Sequence, residues 1–161
     1  LDDIFEDPVA TEALKYVAIH RKSPNMLLFF LNVQHYKSMK PESFASEHIF
    51  LLKKRQVVGH IHSSFIRGEA RLQINVSGDE LSELNSKCLA AQNTDPPLNL
   101  FDSVLGTVMS TIRTNEYSAL LNDPNTLNHA KALVFAARDE KRKWDLAESA
   151  LKSHGKRVKK E

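Results

Sequence analysis

At 161 residues, 42% of them hydrophobic, the chain is long enough for one domain with a sizeable core, and a formal net charge of +2 is too small to argue for nucleic acid. Cys88 is the sole cysteine, which excludes an internal disulfide and a cysteine-rich zinc site and favours an intracellular compartment. No apolar run approaches the ~20 residues that a membrane-crossing helix needs, and no charged-then-apolar leader opens the chain, so a soluble protein is expected.

The chain opens on Leu1 rather than Met, which suggests a piece of a longer protein or a processed end. After the apolar groups of LDDIF, Asp7 and Pro8 pair a good N-cap residue with a proline suited to the first helical position. The helix beyond, PVATEALKYVAIHRK, places Val9, Ala13, Leu14, Val17 and Ala18 at three- and four-residue spacing, the mark of one buried face. Ser23 and Pro24 repeat the same start. From there to Lys37, SPNMLLFFLNVQHYK leaves almost no polar face before Asn32, Gln34 and His35, which predicts a helix buried on most sides with its neighbours wrapped around it.

Pro41 breaks the pattern, since the residue before a proline disfavours the helical region. The helical period returns from Phe44 to Ile66 through Phe44, Ile49, Phe50, Leu52, Val57, Ile61 and Phe65, with Lys53, Lys54 and Arg55 as a polar interruption and Gly59 as a weak spot. Residues 67–80 read as a turn region with a short extended piece from Leu72 to Val76. Ser77 and Glu80 have the spacing of a capping box for a helix through Leu81, Leu84, Cys88 and Leu89. QNTDPPLN reads as an exposed loop. A long helix is then expected from Leu98 or Asn99 to Leu121, with Phe101, Val104, Leu105, Val108, Ile112, Leu120 and Leu121 inward. Asp123 and Pro124 open a last helix, which reaches Ser153 before Gly155 ends it and KRVKKE frays. The fold class is therefore all-α: a helical domain over residues 1–123 with a helical extension, 124–161, that is part of it or packed on it.

Charge is divided along the chain. Residues from Thr126 onward carry 10 Lys/Arg against 5 Asp/Glu, whereas Leu1 to Asn125 carry 12 against 15, a tail of +5 on a body of −3. Such a tail suits either a solvated helix end or an anionic membrane surface. Its basic residues interleave only with Trp144, so nucleic acid is not expected as a partner.

Bond chemistry finds little support. His48, His60 and His62 form the best metal cluster, but two residues along a helix turn the rings ~200° apart, onto different faces. Structural or solvated histidines are expected, with no metal and no cofactor. Phosphate-binding loops, GxGxxG after a strand and GxSxG elbows are missing from the sequence. Cys88, among Leu84, Leu89 and Ala90, reads as a buried inert thiol.

Several segments, in order and at matching distances, resemble the regulator of G-protein signalling (RGS) box. IFEDPVATEALKYV is similar to the family's opening short helices, and LLFFLNVQHYK to its LLFWLAVEDFK-type core helix. IHSSFIRGEARLQINV resembles the IYxxFIxxGAxxxINI segment, the most specific part of the match. LFDSVLGTVMSTIRTNEYSALLND resembles the stretch that begins with Phe-Asp and ends around an Asp-Ser-Tyr turn, with Tyr117 as its tyrosine. The likeness runs from about Ile4 to Asp123.

The resemblance implies a two-lobed bundle of about nine helices with a long C-terminal helix. It also implies a cytoplasmic partner for the switch regions of a heterotrimeric Gα subunit, able to sit at the inner face of the plasma membrane. Such a domain speeds GTP hydrolysis without bond chemistry of its own: the Gα arginine and glutamine react, and the domain favours their transition-state arrangement. By position, Asn75 corresponds to the family's asparagine near the attacking-water glutamine, with a turn asparagine bonded to local backbone as the alternative. Around Ser23 the family's Glu-Tyr-Ser-Glu-Glu-Asn-like run falls on Arg21 to Met26, so Met26 stands at the asparagine position and Asn25 is displaced by one. Asn115 and Glu116 replace the family's Asp-Ser, Ala119 replaces an arginine, and Arg21 and Lys22 replace an acidic residue and a tyrosine. Those departures leave room for a second expectation, an RGS-homology scaffold that has lost GTPase stimulation. A third is an unrelated helical bundle whose similar segments arise from core patterning.

Overall fold

The computed structural model describes residues 5, 8–20, 24–122, 128, 132, 136, 139 and 142. Among the described residues the architecture is all-helical, without strands. Two compact units divide the chain, Leu1–Val17 with Tyr117–Glu161, and Ala18–Glu116. Helix α1, Pro8–His20, starts at the proline as expected and buries Ala13, Leu14, Val17 and Ala18. The expected Asp7 cap lies outside the described residues. The last helix anticipated from the sequence also lies outside them, except that residues 128, 132, 136, 139 and 142 are helical and exposed, spaced as one helix face.

The unit Ala18–Glu116 is built on α2, Asn25–Ser38, whose Met26, Leu27, Phe29, Phe30, Val33 and Tyr36 are buried. It packs against α3, Glu47–Ile61, and α5, Asp102–Ile112. The Phe29 ring meets Phe65 and Phe101 edge-on, each at 5.9 Å between centroids, and Tyr36 meets Phe101 at 5.6 Å. T-shaped pairs of this kind add about 0.5–1.5 kcal/mol each beyond area burial. The buried run therefore forms a core of interlocked rings rather than a uniform oily rod.

Local signals fix several starts. Ser46 caps α3 by accepting from the Ile49 amide at 3.3 Å, later than the expected start at Phe44, because a 3-10 turn at Pro41–Ser43 and a bend come first. The capping box forms as its spacing predicts and opens α4, Gly78–Ala91. Ser77 Oγ accepts from the Glu80 amide at 3.2 Å, and Glu80 Oε2 accepts from the Ser77 amide at 3.0 Å. Glu80 also accepts from Thr107 Oγ1 on α5 at 3.2 Å, so one carboxylate joins two helices. Hydrogen bonds from the Ser77 side chain first, then its backbone, hold that carboxyl below the usual carboxylate range.

Three expectations are corrected. Pro24 occupies the N-cap of α2 instead of its first turn, with no side-chain cap bond. On α3, Ile49 and Leu52, expected inward, are exposed and Lys54, expected in a polar interruption, is buried, whereas Ile61 is buried as expected; on α4, Leu89 is likewise exposed. The helix expected over residues 98–121 is split into α5, a π turn at Arg113–Tyr117 and the short α6, Ser118–Asn122, with Phe101 as the N-cap of α5. Residues 67–77 form the expected non-helical stretch, an irregular loop that follows a second π turn, His62–Ile66.

Candidate partner-binding site

The loop carrying Asn75 is folded back on the π turn that precedes it. The Leu72 amide donates to the Ser64 carbonyl at 3.2 Å and the Ile74 amide to the Phe65 carbonyl at 2.9 Å, while Ile74 itself is buried. Successive turns, Ala70 amide to Arg67 carbonyl at 2.9 Å and Gln73 amide to Ala70 carbonyl at 3.1 Å, tighten the intervening chain. Glu69, between them, sits at φ 64°, a left-handed conformation that costs a non-glycine residue about 1–3 kcal/mol and collects in functional loops.

From the other side, Asn25 at the first turn of α2 donates its Nδ2 to the Gln73 carbonyl at 3.0 Å. Its neighbour Met26 is turned into the core, 5% exposed. The side chain offered to the loop is thus Asn25. Asn75, two residues past Gln73, is exposed, and among the described residues its side chain has no hydrogen-bond partner.

Asn115 is exposed on the π turn Arg113–Tyr117, and among the described residues no hydrogen bond links it to Asn25 or Asn75. Glu116 lies on the same turn. Ser23, with Arg21 and Lys22, lies outside the described residues. Sequence reasoning missed Gln73, whose backbone carbonyl, not its side chain, does the joining; no residue-type signal could mark it.

Beside the loop a shallow depression of about 230 Å³ is lined by Ile66, Gly68, Gln73, Gly78, Leu81, Ser82 and Asn85. Below it His62 is buried and its Nε2 donates to Asn85 Oδ1 at 2.7 Å, whereas His60 and His48 are exposed. The histidine cluster is therefore divided between core and surface, and among the described residues no group of three or more metal-ligating side chains converges. Burial pushes the Cys88 thiol up to about 12, far from a thiolate at neutral pH. What this surface presents is a carboxamide and backbone on a braced loop, which is hydrogen-bonding chemistry.

No protein-family model matches the chain, and no curated protein is similar to it. Among the described residues no helix is long and apolar enough to cross a membrane.

Proposed function

We propose that the chain is a helical interaction module that works by recognition rather than bond chemistry. More particularly, it is a divergent RGS domain, a nine-helix, two-lobed bundle that binds the switch regions of an activated Gα subunit. It accelerates GTP hydrolysis by binding the transition-state conformation more tightly than the ground state. The observation that carries this reading is the Asn25–Gln73 hydrogen bond, which sets the start of the core helix beside the exposed, unengaged carboxamide of Asn75. Asn75, Asn25, Ser23, Asn115 and Glu116 are the proposed site residues, and the basic tail adds an anionic membrane surface as a second partner.

The test is single-turnover GTP hydrolysis by Gα subunits from the same organism, with and without the domain, alongside binding to their aluminium-fluoride form. Asn75→Ala should lower the stimulation roughly 30-fold, the equivalent of about 2 kcal/mol at a central contact. An unchanged rate removes Asn75 from the site.

One observation favours the scaffold alternative: the Asn25 amide is already engaged inside the domain, which leaves fewer groups for Gα. A domain that binds the aluminium-fluoride form of no Gα, and speeds none, belongs to that class.

A further inference from the structure

We infer that Asn25 is a positioning residue, a latch that sets the pose of Asn75 through the Gln73 carbonyl instead of touching the partner with its amide. The inference rests on the proposed Gα-binding role of Asn75. The loop from 67 to 76 is pinned on its inner side by the Leu72 and Ile74 amides and by the buried Ile74 side chain. The Ile74 amide belongs to the same peptide as the Gln73 carbonyl, so its bond to the Phe65 carbonyl holds the inner edge of that peptide. The Asn25 bond, 48 residues away in sequence and partly buried, restrains that peptide from outside, two residues before Asn75. Met26, locked in the core beside it, fixes where Asn25 can reach.

A latch and a direct contact separate on chemistry. Asn25→Asp keeps the shape and the acceptor oxygen of Asn25 but has no donor for the Gln73 carbonyl. At the first turn of α2 a carboxylate is favoured by the helix dipole, so the fold is not at risk. In the free ¹⁵N-labelled domain, Asn25→Asp should displace the backbone signals of Gln73 to Val76 and speed exchange of the Leu72 and Ile74 amides by roughly three- to tenfold, the scale of one lost hydrogen bond. Signals that stay in place overturn the latch, whatever Gα does.

In GTP hydrolysis, Asn25→Asp should be as damaging as Asn25→Ala, and neither should cost anything further in an Asn75→Ala background. Additive losses, or an aspartate that works like the wild type, mean that Asn25 acts by direct contact and overturn the inference. A wild-type domain that speeds no Gα, while Asn25→Asp still moves the loop signals, removes the proposed function and leaves the latch standing.

Discussion

Lys54 is the least expected member of the core, and its partner makes a sharp prediction. Its side chain is 6% exposed, while that of Asp95, 2.6 Å from its Nζ, is 71% exposed. The ammonium also stands 5.4 Å from the centre of the Phe50 ring. Two unit charges at that 2.6 Å separation attract by about 2 kcal/mol in water and about 6 kcal/mol at an effective dielectric constant of about 20, before desolvation is subtracted. Desolvation falls almost wholly on the lysine, because the aspartate keeps its water. Asp95 is also held ready: Arg55 Nε donates to the Thr94 carbonyl at 2.8 Å, and the Tyr36 hydroxyl to the Pro96 carbonyl at 2.8 Å, so the segment on both sides is fixed. Removing the two ends of the pair should therefore be unequal. Asp95→Asn leaves a desolvated cation without a counter-charge and should destabilise by about 2 kcal/mol, whereas Lys54→Met leaves a solvated carboxylate and an apolar chain in an apolar slot, costing under about 1 kcal/mol. At about 2–4 °C per kcal/mol for a chain of this size, Asp95→Asn should lower Tm by about 4–8 °C. Urea and thermal unfolding at neutral pH measure both variants. If Lys54→Met is as harmful as Asp95→Asn, the cation is not effectively buried and the reasoning fails.

Two further outcomes can be measured on the isolated chain. Burial raises the Cys88 thiol from 9.0 to about 12, so the native state keeps a proton that the unfolded chain gives up; this contribution is fully present below pH 9 and is lost as pH climbs towards 12. Burial, with Asp95 and then Cys88 adding to it, also lifts the Tyr36 phenol above its ordinary range, so the decline should continue beyond pH 10. Urea midpoints taken from pH 8 to 11 should fall less steeply in Cys88→Ala than in the wild type; parallel curves, or rapid thiol labelling of the native protein at pH 8, contradict this. The tail from Thr126, at +5, should bind vesicles containing anionic lipid, weaken as salt is added, and lose binding on truncation after Ser153. Binding that ignores salt would remove the membrane as a partner.

What the sequence made legible follows the range of the interactions involved. The apolar run of α2 and the Ser77–Glu80 box act within a few residues, and both form where they are expected. Lys54 was not legible because its counter-ion is 41 residues away in a loop. On the rule that apolar side chains point inward, Ile49 and Leu52 are expected on the buried face of α3 together with Ile61; only Ile61 is buried there, in phase with Lys54 and Val58. Phe101, Val104, Val108 and Ile112 keep helical spacing across a helix start, so periodicity alone ran the helix back past its N-cap. The π turns at His62–Ile66 and Arg113–Tyr117 insert an extra residue per turn, and no residue type announces them.

At the candidate site the difficulty was one of phase. Adjacent helical residues lie about 100° apart around the axis, so counting cannot tell which of Asn25 and Met26 faces the loop. The core decides: Met26 fits among buried apolar groups, and that choice turns Asn25 towards Gln73. Had α2 started one residue earlier, with Pro24 in its first turn as the sequence predicts, the distance from Pro24 to the buried face would be unchanged and Asn25 would still be selected. It follows that a polar residue at position 26 should not restore a contact, because it would have to enter the core to be folded at all. Asn25 and Asn75 are related through a backbone carbonyl that both helix phase and loop bracing position, and a correspondence of residue letters could not express that relation.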